Sequence, residues 1–167
     1  IGIVDDSGHS KKGSHTACVQ RQWCGNTGKR DNCVVSVHIG YTWGDFQCLL
    51  DSDLYMPQSW ANDMERRKQA GIPEDVVYRK KTDIALAQVA GAMANGIRVA
   101  AWTFDEWYGR DGKFLDGLQN LGQNYVAEVP ALPGCVSQGK TMTEAKTNIK
   151  EAITGWIAVM NDKARRH

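Results

Sequence analysis

The chain has 167 residues, of which 42% are apolar and 23% charged, and a formal net charge of +1. This length suits one domain, or one domain with an appendage, and is enough to bury a sizeable core. The near-neutral charge argues against a protein that wraps nucleic acid by charge alone, and no apolar stretch approaches the length that spans a bilayer. The four histidines form no HExxH-like pair, which gives a zinc site little support. Five cysteines (Cys18, Cys24, Cys33, Cys48 and Cys135) contain no CxxC, and no basic-then-apolar signal opens the chain. Together these features read as reduced thiols in a cytoplasmic protein. The first residue, Ile1, already stands on a strand-like run, as expected of a sequence that begins inside a longer protein.

In chain order, Ile1-Gly2-Ile3-Val4 predicts a strand that runs into Asp5-Asp6, followed by a polar loop over residues 7–14. Residues 16–23 alternate as a second strand, and Gly25-Asn26-Thr27-Gly28 is a turn. Residues 33–41 have the strongest β-branched density in the chain, and residues 46–55 follow as another strand, giving an antiparallel meander. Pro57 introduces a helix over residues 59–70, which Gly71 and Pro73 stop. A second helix spans residues 82–94 and ends at Gly96. Next comes Val99-Ala100-Ala101-Trp102-Thr103-Phe104, a strand running into Asp105-Glu106, then a short helix over residues 111–121 and a strand over residues 125–129.

The tail changes character. Residues 131–139 are a turn-rich connection, and Thr141 with Glu144 has the spacing of a capping box. The helix that follows carries Ala145, Ile149, Ala152, Ile153, Trp156, Ile157 and Met160 on one stripe. It closes on Lys163, Arg165 and Arg166, which suit the negative end of a helix dipole.

Two apolar runs that end in acid pairs, 100 residues apart, suggest a metal-assisted chemistry. Hard divalent cations prefer oxygen ligands, and a two-metal clamp with ions about 4 Å apart stabilises both oxygens of a phosphodiester displacement. The competing reading is that acids often stand where a strand meets a loop, as turn or cap residues. Likewise the basic clusters Lys11-Lys12, Lys29-Arg30, Arg66-Arg67-Lys68 and Arg79-Lys80-Lys81 suit a solvated surface as well as a DNA contact.

Several motifs are specific enough to suggest a family. Ile3-Val4-Asp5-Asp6-Ser7-Gly8 with Lys11-Lys12-Gly13 is one, and Val19-Gln20-Arg21-Gln22-Trp23-Cys24-Gly25 with Gly28-Lys29 and Asn32-Cys33 is the next. Leu54-Tyr55-Met56-Pro57-Gln58-Ser59-Trp60, with Asp63, Arg66 and Ala70-Gly71-Ile72-Pro73, leads to Thr103-Phe104-Asp105-Glu106-Trp107-Tyr108-Gly109. Over residues 1–130 the chain resembles the catalytic core of bacterial insertion-sequence DDE transposases. That resemblance implies an α/β fold, an RNase H-like mixed sheet flanked by helices, here truncated and ending in a C-terminal strand-turn-helix. It implies three acids holding two Mg²⁺ (or Mn²⁺) ions, with transposon-end DNA as the partner. By position, Asp5 is the first metal ligand, with Asp6 as alternate, and Asp105 is the second. Lys11, Lys12, Tyr108 and Arg110 are the implied DNA contacts. The implied reaction is in-line attack on a phosphodiester by water or a 3′-hydroxyl, catalysed by positioning and charge neutralisation.

The family's third acid, a glutamate on a later helix, has no matching signature. From Tyr125-Val126-Ala127-Glu128-Val129-Pro130 the chain instead resembles a HicB-type antitoxin. The matching residues are Pro130-Ala131-Leu132-Pro133-Gly134-Cys135-Val136-Ser137-Gln138-Gly139, then Thr141, Glu144-Ala145, Asn148-Ile149 and Glu151-Ala152-Ile153. The expected organisation is therefore a transposase core over residues 1–124 and a HicB-like segment over residues 125–167, for which a small HicA-like toxin is the implied partner. Glu144 and Glu151 are better read as helix residues than as the missing acid. The resemblance thus implies a centre without competent transposition.

Overall fold

A computed structural model describes residues 1–128, 136–139 and 141–165. They form two compact units, one over Ile3–Ile97 and one joining Ile1–Gly2 to the chain from Arg98 onward.

The first unit is built on one long strand. β1 (Gly2–Ser10) is followed by β2 (Gln20–Cys24), a 3-10 turn (Gly25–Thr27), β3 (Lys29–Trp43) and β4 (Phe46–Leu54). β3 pairs antiparallel with β2 through residues 29–33 and with β4 through residues 36–43, so one strand of 15 residues serves two partners in succession. β1 lies beside β3 as well. Clean alternation is lost where β3 is covered on both faces. Cys33 and Val35 cluster with Cys24, while Val34, between them, joins Cys18, Val19, Met56 and Trp60.

The expected polar loop over residues 7–14 begins later than predicted, because β1 continues to Ser10. Pairing with β3 overrides the weak strand propensity of these residues, and Lys11 N donates to Asn32 O (2.8 Å) where the ladder ends. The second strand starts four residues late. Cys18 adopts φ 65°, a left-handed turn that a strand does not accommodate. Gly28, with φ 61°, closes the following turn as expected.

The single helix expected over residues 59–70 is two: α1 (Gln58–Ala61) and α2 (Met64–Gln69). Asp63 interrupts it, because its carboxylate accepts from Arg66 N (2.9 Å) and so caps a new helix. Trp60 anchors the pair in the core, donating from Nε1 to Val19 O (2.7 Å). α3 (Lys81–Ala94) matches the predicted second helix and stops before Gly96, which has φ 80°. It buries Thr82, Ile84, Ala85, Gln88, Val89 and Ala92, and Gln88 Nε2 donates to Val37 O (3.1 Å), tying it to β3.

The second unit comprises β5 (Trp102–Phe104), α4 (Glu106–Gly109), α5 (Gly112–Asn120), β6 (Tyr125–Glu128), β7 (Val136–Gly139) and α6 (Met142–Arg165). β6 runs parallel to β5 and antiparallel to β7. Its core is aromatic: Phe104 stacks edge-on to Phe114 with centroids 5.1 Å apart, and Tyr108 and Tyr125 close around them. The buried Trp102 donates from Nε1 to Gln123 Oε1 (3.0 Å). Gly2 belongs to this unit and donates to Ala101 O (2.9 Å). α4 and β7 were not expected from the sequence. The capping of α6 is present, as Glu144 N donates to Thr141 Oγ1 (3.1 Å). Residues 129–135 of the predicted last strand and turn-rich connection, and Arg166, lie outside the described residues.

The architecture is α/β: a mixed sheet with flanking helices, of the RNase H-like kind. Among the described residues no helix is long and apolar enough to cross a membrane.

Candidate metal centre and its neighbouring charges

Strand geometry separates the first acid pair. Side chains alternate along β1, so Asp6 shares its face with the buried Gly2, Val4 and Gly8, whereas Asp5 shares the other with exposed Ile3 and His9. Asp5 is exposed, and its Oδ1 accepts from the neighbouring Asp6 N (2.8 Å). Asp6 is half-buried and ion-paired, its Oδ2 lying 3.0 Å from Lys81 Nζ at the start of α3. That ammonium also stands 5.6 Å from the centroid of Tyr55, which meets Tyr78 edge-on. Burial, then the neighbouring Tyr78, pushes the Tyr55 phenol up to about 12. Arg79 closes this edge through an ion pair with Asp53 on β4.

Lys81 was not singled out in the sequence beyond its basic cluster. Its partner lies 75 residues away, and only the tertiary fold, with α3 packed on β3 and β4, brings them together.

In the second unit the chain leaves β5 at Asp105, whose extended backbone (φ −72°, ψ 171°) starts α4. Its Oδ1 accepts from Tyr108 N (3.1 Å), so the cap reading of this acid holds alongside any metal role. Asp105 remains exposed. Glu106 is taken up by Arg110, whose Nε lies 3.1 Å from Glu106 Oε1, one turn along the helix.

The implied DNA contacts differ in their surroundings. Lys11 and Lys12 are exposed on the loop after β1, and Asn32 Nδ2 fixes that loop by donating to Lys11 O and Gly13 O (both 2.8 Å). Arg110 is exposed beside Glu106. Tyr108 is fully buried, with its ring against Trp107 and Phe114, which places it in the core rather than on a DNA-facing surface. Glu144 and Glu151 are exposed on α6. Among the described residues no three His, Cys, Asp or Glu side chains gather closely enough to hold a metal ion.

Asp5 and Asp105, each within its own unit, present an exposed carboxylate that accepts from one backbone N–H and is in no ion pair among the described residues. Carboxylate oxygens are the donor type that a hard divalent cation prefers. Asp6 already has its cation.

Over 130 residues the chain is 33% identical to a probable transposase for insertion sequence element IS701 from Microchaete diplosiphon, covering 77% of this chain and 31% of that one. It is also 67% identical over 33 residues to a UPF0150 protein from Thermoplasma acidophilum, covering 20% of this chain and 48% of that one. A UPF0150 protein from Helicobacter pylori is 69% identical over 29 residues, covering 17% of this chain and 40% of that one. The chain therefore spans between about a third and a half of the length of these relatives. No solved structure matches. Residues 1–148 match the family described as DDE superfamily endonuclease, and with acid-bearing strands on an RNase H-like α/β fold, the chain belongs to that family.

Proposed function

We propose that this chain carries part of a metal-dependent centre for DNA strand cleavage and transfer, with Asp5 and Asp105 as its first two metal ligands and without its third acid. Family membership over residues 1–148 is the observation that carries the reading. The exposed carboxylates of Asp5 and Asp105, in no ion pair among the described residues, support the choice of residues, and the Lys81 ion pair favours Asp5 over Asp6. Mg²⁺ or Mn²⁺, when bound, would neutralise phosphate charge and activate the attacking oxygen. The chain's own part is to hold carboxylates at fixed backbone positions and to leave their oxygens accessible. Residues 1–124 are the proposed transposase portion and residues 125–167 the HicB-like portion.

The test has two readouts. Titration with Mn²⁺, followed by its magnetic resonance signal, is expected to show weak binding that Asp5→Asn and Asp105→Asn each remove and Asp6→Asn does not. Incubation with Mg²⁺ or Mn²⁺ and labelled insertion-sequence end DNA is expected to give no nicking. Metal-dependent nicking that is lost in both aspartate variants would overturn the proposed incompleteness, and Mn²⁺ binding indifferent to them would overturn the ligand assignment.

The UPF0150 similarities favour a second reading, a small binding module in the tail with a HicA-like toxin as its partner. β6, β7 and α6 form a compact strand-strand-helix piece, joined by Asn148 Nδ2 donating to Gln138 O (2.8 Å). Capture of a HicA-like toxin by the intact chain, lost on substitution within α6, is the result that would establish it.

A further inference from the structure

We propose that the hairpin of β2 and β3, with the lysine loop pinned beside it, is a docking surface for a DNA strand. The inference rests on the DNA-acting reading above and adds to it a surface built from other residues. Trp23 stands opposite Arg30 in the antiparallel ladder, and Arg21 stands opposite Asn32. Side chains two apart on a strand share a face, so Arg21, Trp23 and Arg30 project together, while Cys24 turns into the core. Trp23 is 61% exposed, so its ring is accessible on this face. Asn32, on the same face, holds the Lys11–Lys12 loop through its two side-chain hydrogen bonds to that loop. Lys11, Lys12, Arg21, Lys29 and Arg30 are all exposed, and none is in an ion pair among the described residues.

This combination matches one partner chemistry. A phosphate backbone pairs with unpartnered lysines and arginines, and a base stacks on an exposed indole whatever its sequence. The 3-10 turn closed by Gly28 fixes the hairpin, so few residues need ordering on binding.

The experiment measures anisotropy of a labelled mixed-sequence oligonucleotide, single-stranded and duplex, against the intact chain over a range of salt. Replacing both Arg21 and Arg30 by Ala is expected to weaken binding at least about tenfold and to flatten the salt dependence by roughly 0.7 to 0.9 per lost phosphate contact. Trp23→Ala is expected to cost at least about fivefold for the single strand, with Trp23→Phe restoring most of it. Thermal unfolding of each variant at the wild-type temperature confirms an intact fold. Wild-type affinity in these variants, or no DNA binding by the intact chain, overturns the proposal. So does an equal loss of binding to poly-glutamate, which would assign the surface to an acidic protein. Mn²⁺ titration on the same samples separates the two readings. Hairpin variants that bind DNA normally while metal binding still needs Asp5 and Asp105 overturn this surface alone. Hairpin-dependent DNA binding without that metal dependence overturns the metal assignment alone.

Discussion

Lys81 Nζ stands 3.0 Å from Asp6 Oδ2, joining the first turn of α3 to the middle of β1. The contact divides the labour of two adjacent acids. Asp6 neutralises a half-buried ammonium and fixes the helix against the strand, while Asp5, on the opposite face, is in no ion pair among the described residues. Asp6→Asn or Lys81→Met is expected to destabilise the chain by about 1 kcal/mol, with both changes together costing less than the sum. Asp5→Asn is expected to stay within about 0.5 kcal/mol. Urea unfolding of the single and double variants measures both.

Asp105 has two separable roles. Asn caps a helix as well as Asp, so Asp105→Asn is expected to keep wild-type stability, whereas Asp105→Ala loses the bond to Tyr108 N and about 1 kcal/mol. If Asp105 also binds metal, both variants lose Mn²⁺ affinity. Thermal unfolding paired with metal titration tells a cap from a cap that is also a ligand.

Gly2 and Gly139 are among the glycines that close approach requires. A methyl group on Gly2 would fall under 3 Å from the ring of the buried Trp102, and one on Gly139 would lie 2.5 Å from Ala145 N, where α6 meets β7. The neighbours are a buried indole and helix backbone, neither able to give way cheaply. Gly2→Ala and Gly139→Ala are each expected to cost about 1–3 kcal/mol. Denaturant unfolding checks this, and an unchanged midpoint in either variant would show that the neighbour yields.

Alkaline pH is expected to weaken the first unit. Burial, reinforced by the neighbouring Cys24, pushes the Cys33 thiol up to about 11, and burial pushes the Tyr55 phenol up to about 12. Both groups hold their protons more tightly folded than unfolded. Their contribution is complete below the unfolded values of about 9 and 10 and is lost as pH rises through the folded ones. Stability should therefore fall between about pH 9 and 12. Cys33→Ala is expected to flatten the profile between about pH 9 and 11, read from urea midpoints.

Much of the fold was legible because its elements carry local signals. The β-branched run of β3, the glycine turn at Gly28, the stripe of α3 and the Thr141 cap each specify their own conformation. The misreadings occurred where a side-chain bond or a distant partner took over. Asp63 split one helix into two by a single hydrogen bond, and β3 drew polar residues of β1 into a strand. Asp105-x-x-Tyr108 has the spacing of a cap, so α4 carries a local signal in the sequence.

Sequence alone determined the family and the candidate acids, because motifs around Asp5, Lys11 and Asp105 are local strings that survive without knowledge of packing. Only the tertiary structure decided that Asp6 is engaged and Asp5 is not, that Tyr108 is core, and that Arg21, Trp23 and Arg30 share one exposed face. Each depends on strand alternation and register, or on a contact between residues distant in sequence, and a one-residue slip would reverse the strand faces.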